Sequence, residues 1–302
     1  MRAFAVLAPL LLGAAPALAQ DDSEADETQI ETPALRPDQV IVEPVTFRST
    51  DGSSRIRGYL FKTAGADGRL PAVVMLHGRS GAYSSRAGGV YDATTLSARH
   101  RAWGIFWARN GFAALMVDDF GPLGFPQGFG RGTYGERPAA LNEVTHRPLH
   151  AYGALRYLRT RPDVDPRRIG LMGWSNGGSA TLAAMADDKA GDMRVHGFRA
   201  GVSLYPGCGL HRAYVRRGYR PYAPVRLLMG TADEEVSPDI CRALVDRSRR
   251  RGGDIEATFY DGAEHSFDTP IRSRQRLEAN ARAKAAAEAV ILAFFRERLA
   301  AE

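Results

Sequence analysis

The sequence predicts an α/β fold: a mostly parallel sheet flanked by helices on both faces, entered through an N-terminal antiparallel hairpin. Three observations carry this expectation. Residues 71–76 and 112–117 are short continuous apolar runs, the pattern of strands buried on both faces. Segments with apolar residues at helical spacing alternate with such runs to the C-terminus. Residues 40–49 and 55–62 alternate apolar and polar side chains around Asp51-Gly52, a hairpin signature.

The elements follow in order. A helix is expected over 95–110, carried by Leu96, Trp103, Phe106 and Trp107 and stopped by Gly111. A second covers 142–161 through Leu149, Tyr152, Leu155 and Leu158, and ends before Pro162. Strands are expected over 168–172, 199–204, 225–229 and 256–260, with helices over 176–186, 238–251 and 277–299. No repeat or internal linker interrupts residues 40–302, which read as one domain. The longest stretch without regular structure, 118–140, is rich in glycine and holds Phe120, Phe125 and Phe129. Loops of that length are usually functional, and this one is expected to cover the site and set specificity.

Residues 1–19 read as a signal peptide. Arg2 supplies the basic start, the apolar run over 3–15 is too short to span a bilayer, and Ala17-Leu18-Ala19 is a small-x-small cleavage site. Residues 20–39 are an acidic, polar tail with nothing to bury. The expected location is periplasmic or secreted, with no membrane span in the mature chain. Loss of Arg2 and of Asp21, Asp22, Glu24, Asp26, Glu27 and Glu31 turns the formal +6 of the whole chain into +11 for the remainder. The arginines are nonetheless scattered, and the dense run from Arg247 to Arg251 closes a predicted helix, where cations suit the dipole. No nucleic-acid partner is expected. Two cysteines, Cys208 and Cys241, remain in an exported chain and are expected to pair.

Chemistry concentrates at Gly173-Trp174-Ser175-Asn176-Gly177. A G-x-S-x-G match arises by chance in roughly one chain of this length in ten, so its setting has to decide. Here Ser175 joins a predicted strand to a predicted helix, the turn that lifts a nucleophile above a sheet edge. The Asn176 N–H at the helix start can stabilise an oxyanion; its side chain is expected to be more replaceable than that of Ser175. A serine hydroxyl needs a base, and the base an orienting acid. Asp233 follows the 225–229 strand in MGTADEEV, and His265 follows the 256–260 strand in DGAEHSF. The order Ser, Asp, His is that of α/β-hydrolases. Glu234 and Glu235 are the competing acids; His100, His196 and His211 read as surface residues, and His77 as structural. The turn His77-Gly78-Arg79-Ser80-Gly81 offers a second oxyanion donor in the Arg79 N–H, and the Arg79 side chain is a candidate for a substrate carboxylate. Trp174, Phe120 and Phe125 are the other candidate substrate contacts.

HGRSG, GWSNGG, the MGTADEEV loop and DGAEHSF together resemble the dienelactone hydrolase family of α/β-hydrolases, over about residues 40 to 300. The resemblance implies Ser175 as nucleophile, His265 as general base and Asp233 as its orienting acid. The lactonases that name the family use a cysteine nucleophile, so serine here implies ester hydrolysis and leaves lactone specificity open. The GWSNGG form is also similar to exported serine esterases and polyester hydrolases.

Other chemistries fit less well. Glu143, His146 and His150 have helical spacing, but Pro148 stands between the histidines and the glutamate is out of the metalloprotease position, so no metal is expected. No phosphate loop or dinucleotide fingerprint calls for a cofactor. The expected function is a serine hydrolase acting on a small-molecule ester or lactone, with oligomeric state left open. A serine peptidase on the same frame and a binding protein with a relic site are the alternatives.

Overall fold

The computed structural model describes residues 39–301 except 190 and 211–217. The expected signal peptide, nearly all of the acidic tail and His211 lie outside the described residues. Eight strands form one sheet in the order β1-β2-β4-β3-β5-β6-β7-β8. They are β1 (Val40–Arg48), β2 (Arg55–Thr63), β3 (Leu70–Leu76), β4 (Ala113–Asp118), β5 (Val164–Trp174), β6 (Gly201–Leu204), β7 (Val225–Gly230) and β8 (Ile255–Tyr260). β1 and β2 make the expected hairpin, β2 runs antiparallel to β4, and every other pairing is parallel. Every residue of β4 and β6, and all of β3 after Leu70, is buried, as the continuous apolar runs require.

The long helices are α1 (Ala98–Arg109), α2 (Arg147–Arg159), α3 (Asn176–Met185), α4 (Pro238–Arg249) and α5 (Glu278–Arg298). Side-chain alternation along β5 sorts three of them onto two faces. A Cβ on Gly170 would meet the Phe295 ring of α5, and Met172 accepts a bond from Trp107 of α1. Gly173, of opposite parity, faces α3. Helix α2 packs beside α3, where the Tyr152 hydroxyl donates to the Ala184 carbonyl.

Helix starts depart from the sequence expectation for reasons of capping. α1 begins at Ala98 because the Ser97 hydroxyl caps its first turn, accepting from His100 N. α2 begins at Arg147, five residues later than expected. Asn142 Oδ1 accepts from Val144 N and Thr145 N, closing a local turn, and Pro148 sits in the first helical turn, where a missing N–H costs nothing. Cys208, just beyond β6, is bonded to Cys241 on α4, with Cα atoms 5.2 Å apart. By chain entropy, closing a loop with a separation of 33 residues stabilises the fold by about 3–4 kcal/mol.

Candidate active site

Ser175 stands between β5 and α3 with φ 52° and ψ −114°, a conformation L-residues rarely adopt. The flanking glycines make the turn sterically feasible. A Cβ on Gly173 would lie 2.3 Å from the Gly177 carbonyl oxygen, and one on Gly177 would lie 2.1 Å from that of Leu76. Neither position can carry a side chain while the elbow keeps this shape. The turn after β3 rests against the elbow, since a Cβ on Gly78 would come 3.6 Å from Ser175 Cβ. This places the backbone of residues 77–79 beside the serine. As the first residue of α3, Asn176 has a backbone N–H with no intrahelical acceptor.

The loops after β7 and β8 bring up the other two residues. His265 Nε2 lies 3.0 Å from Ser175 Oγ, and His265 Nδ1 lies 2.8 Å from Asp233 Oδ2. Asp233 Oδ1 accepts from Glu235 N and Val236 N, both at 2.9 Å, so the carboxylate is held by its own loop. The competing acids are otherwise engaged. Glu234 Oε2 accepts from His265 N at 2.9 Å, and Glu235 receives both of its bonds from Arg79 Nη2.

Two hollows meet at Ser175. A cavity of about 160 Å³ is lined by Arg79, Phe129, Arg131, Arg137, Asn176 and Glu235 among others, and a cleft of about 850 Å³ opens on the His265 side. The 129–133 part of the long loop lines the smaller hollow, and Arg131 Nη2 ties that loop to the Glu234 carbonyl at 2.6 Å. Burial, with Arg147 nearby, pulls the Arg137 guanidinium down to about 10.

Several sequence expectations change here. Trp174 and Phe120, candidate substrate contacts, are fully buried and do not reach either hollow. Trp174 ends β5 on its α1 face, with Nε1 donating to Asp268 Oδ2 at 2.9 Å. Phe120 packs edge-on against His77, centroids 4.4 Å apart. Phe125 is half-buried against Phe129, and Phe129 is the ring that lines the cavity. Arg79 does line it, but its guanidinium is paired with Glu235. The Asn176 side chain, expected to be more replaceable than that of Ser175, is buried, with Oδ1 accepting from Arg147 Nη1 at 2.5 Å. Among the described residues no cluster of three metal-ligating side chains occurs, and Glu143 and His150 are buried in protein contacts.

His100 also departs from its surface reading: it is buried, with Nδ1 2.8 Å from the Ala82 carbonyl oxygen. Burial depresses its imidazole from 6.5 to about 3, aided by Arg99, His77 and Arg147. The folded protein therefore keeps His100 neutral where the unfolded chain takes up a proton. Stability should fall as pH drops from about 6.5 toward 3, by up to about 1.4 kcal/mol per pH unit from this residue, and gain nothing further above 6.5. Denaturant unfolding at pH 7 and pH 5 checks this: His100→Gln should shrink the loss between them by about 2 kcal/mol. Equal losses in the two proteins would show that His100 does not carry the effect.

Sequence reasoning missed a buried polar group beneath the elbow. Asp119, just after β4, accepts from Arg147 Nε at 2.8 Å and lies 2.8 Å from His77 Nε2 and 3.3 Å from His150 Nδ1. Burial opposes its charge, yet Arg147 and then His77 hold its carboxyl well below the usual carboxylate range. Its place at the C-terminal end of a strand, where α/β sheets gather functional groups, was the available signal.

Comparison with known proteins agrees with this architecture. A putative dienelactone hydrolase from Klebsiella pneumoniae superposes with a TM-score of 0.63 at 18% identity, covering 85% of this chain and 98% of its own. A dienelactone hydrolase-like promiscuous phosphotriesterase from metagenomic libraries gives 0.61 at 22% identity, covering 86% and 98%. Thermogutta terrifontis esterase 2, solved phosphorylated by paraoxon, gives 0.59 at 19% identity, covering 86% and 96%. They share the α/β-hydrolase fold with this protein. The family model of the dienelactone hydrolase family matches residues 56–299. The chain therefore belongs to the dienelactone hydrolase family and is a carboxylic ester hydrolase.

Proposed function

We propose that this protein is an exported serine hydrolase that cleaves carboxylic esters of small molecules through an acyl-enzyme on Ser175. The observation that carries the reading is the relay from Ser175 Oγ to His265 Nε2 at 3.0 Å and from His265 Nδ1 to Asp233 at 2.8 Å, on a backbone at φ 52°. His265 takes the Ser175 proton as the oxygen attacks the ester carbonyl. The tetrahedral oxyanion is held by the Asn176 N–H at the start of α3 and by the Arg79 N–H. His265 then gives its proton to the leaving alcohol, and a water activated by the same imidazole releases the acid. Asp233 holds the imidazole in the tautomer with its proton on Nδ1, so that Nε2 is free to act as base.

The domain spans 40–302 in this reading, with residues 1–19 removed on export and 20–39 left as a tail. The Cys208–Cys241 bond supports an oxidising compartment. The 118–140 loop sets specificity, since its residues 129–133 line the cavity beside Ser175. A fluorophosphonate probe with peptide mapping tests the reading: a single adduct on Ser175 is expected, and failure to label would favour a binding protein with a relic site. Parallel ester and peptide substrates separate an esterase from a peptidase.

A further inference from the structure

Among the described residues, only three other than glycine have positive φ: Ser175 at 52°, Tyr205 at 38° and Ser266 at 62°. All three surround the Ser175–His265 contact. Ser175 carries the hydroxyl, Ser266 follows His265 in the chain, and the Tyr205 ring lies 4.7 Å from the imidazole in an edge-on arrangement. Strained backbone persists only where its surroundings over-determine it. One side chain, Asp268, touches the segments that carry all three.

Asp268 is 1% exposed and uses both oxygens. Its Oδ2 accepts from Trp174 Nε1 at 2.9 Å and from Trp103 Nε1 at 2.8 Å. Its Oδ1 accepts from the Tyr205 hydroxyl at 2.5 Å and lies 3.4 Å from Arg99 Nε. Trp174 immediately precedes Ser175, and Asp268 itself lies two residues beyond Ser266. Arg99 also donates to Thr269 Oγ1, which fixes the next residue of the same loop to α1. Burial holds the Tyr205 phenol well above the usual tyrosine range, so it stays protonated and donates. Three hydrogen bonds from neutral donors and the Arg99 guanidinium at 3.4 Å thus hold a carboxylate deep in the core, and bonds to a charged acceptor are the strong ones.

We infer that Asp268 is a positioning residue: by gripping Trp174, Tyr205 and its own loop, it sets the distance between Ser175 Oγ and His265 Nε2. This rests on Ser175 and His265 being nucleophile and base. Asp268 touches neither reacting group; it acts through the indole before the serine and the phenol ring against the imidazole. Ser175 Oγ sits on the elbow after β5, the imidazole on the loop after β8, and the Tyr205 ring against it on the segment after β6; a tie common to these three is what keeps the reacting atoms at attack distance.

Asp268→Asn tests it, since the amide keeps the shape but presents N–H groups to donors. With p-nitrophenyl acetate, and with active sites counted by fluorophosphonate titration, kcat should fall about a hundredfold, the scale of a misplacement near 1 Å. KM should stay within about threefold, and the rate of fluorophosphonate labelling should fall with kcat. Tyr205→Phe keeps the ring on His265 and loses only the hydroxyl; kcat should drop about tenfold, the size of one lost bond to a charged group. The double variant should lose no more than Asp268→Asn alone, because both changes act through one contact. The inference is overturned if folded Asp268→Asn, or Tyr205→Phe where the former does not fold, keeps wild-type kcat per titrated site. It is equally overturned if the whole loss lies in KM, or if the two effects add. Failure of wild-type protein to label at Ser175 is a different result, and it strikes the triad reading rather than Asp268.

Discussion

Ser175→Ala should reduce kcat on a short p-nitrophenyl ester by a factor of about 10⁴ or more, with KM and thermal stability little changed. The size follows from what the hydroxyl does in the geometry. It is the hydroxyl that faces His265 Nε2, at 3.0 Å, and no second hydroxyl is within reach of that nitrogen among the described contacts. Glu235 Oε2 is the other group near Nε2, at 3.8 Å, but it is committed to Arg79. Alanine removes one oxygen and leaves the strained elbow intact, because Gly173 and Gly177 rather than the serine side chain relieve its contacts. Circular dichroism and a melting curve alongside the kinetics separate lost chemistry from lost fold. Full activity in the variant would end the acyl-enzyme mechanism.

The second large effect is on stability. Arg147→Met should destabilise the protein by about 3–5 kcal/mol, the usual cost of breaking a buried ion pair by removing one partner. Arg147 is fully buried at the start of α2 and holds three groups at once: Asp119 Oδ2 at 2.8 Å, Asn176 Oδ1 at 2.5 Å and the His77 carbonyl at 2.8 Å. Methionine fills the aliphatic volume but leaves the Asp119 carboxylate to the His77 and His150 imidazoles among its described partners. It also frees Asn176 and the 77–79 turn, the two backbone segments beside Ser175, so activity should fall with stability. Pairing it with Asp119→Asn should recover part of the loss, because the orphaned charge goes with its partner. Urea unfolding of the two single variants and the double gives the coupling directly. Strict additivity, or a cost below about 1 kcal/mol for Arg147→Met, would show that the buried pair does not hold the elbow.

These two residues also mark how far the sequence could be read. Ser175, Asp233 and His265, which the fold brings within hydrogen-bond reach of one another, stand out in the sequence because each follows a strand whose apolar run is visible locally, and their chain order carries information of its own. Arg147 stood inside a predicted helix, where an arginine reads as a solvated side chain. Nothing near it in sequence says that Asp119, 28 positions earlier, is folded against it. His100 differs from its surface expectation for the same reason: a histidine on a helix has no local mark of burial, and here α1 packs it against Ala82 and Trp174. Trp174 adjoins the serine in sequence and Phe120 belongs to the long loop expected to cover the site, but alternation on β5 turns Trp174 toward Trp103 of α1, and Phe120 folds back onto His77.

The alternation of strands and helices, the opening hairpin, the glycine-flanked elbow and the family to which the chain belongs are all readable from the residues alone. Those features rest on hydrophobic period and on local backbone sterics, which act between near neighbours. Which carboxylates are buried, which donors meet them, and that Asp268 and Arg147 bond to the residues on either side of Ser175 come from the assembled fold. A buried charge is tolerable only through partners brought from distant segments, and that pairing is a property of the fold rather than of any short stretch of chain.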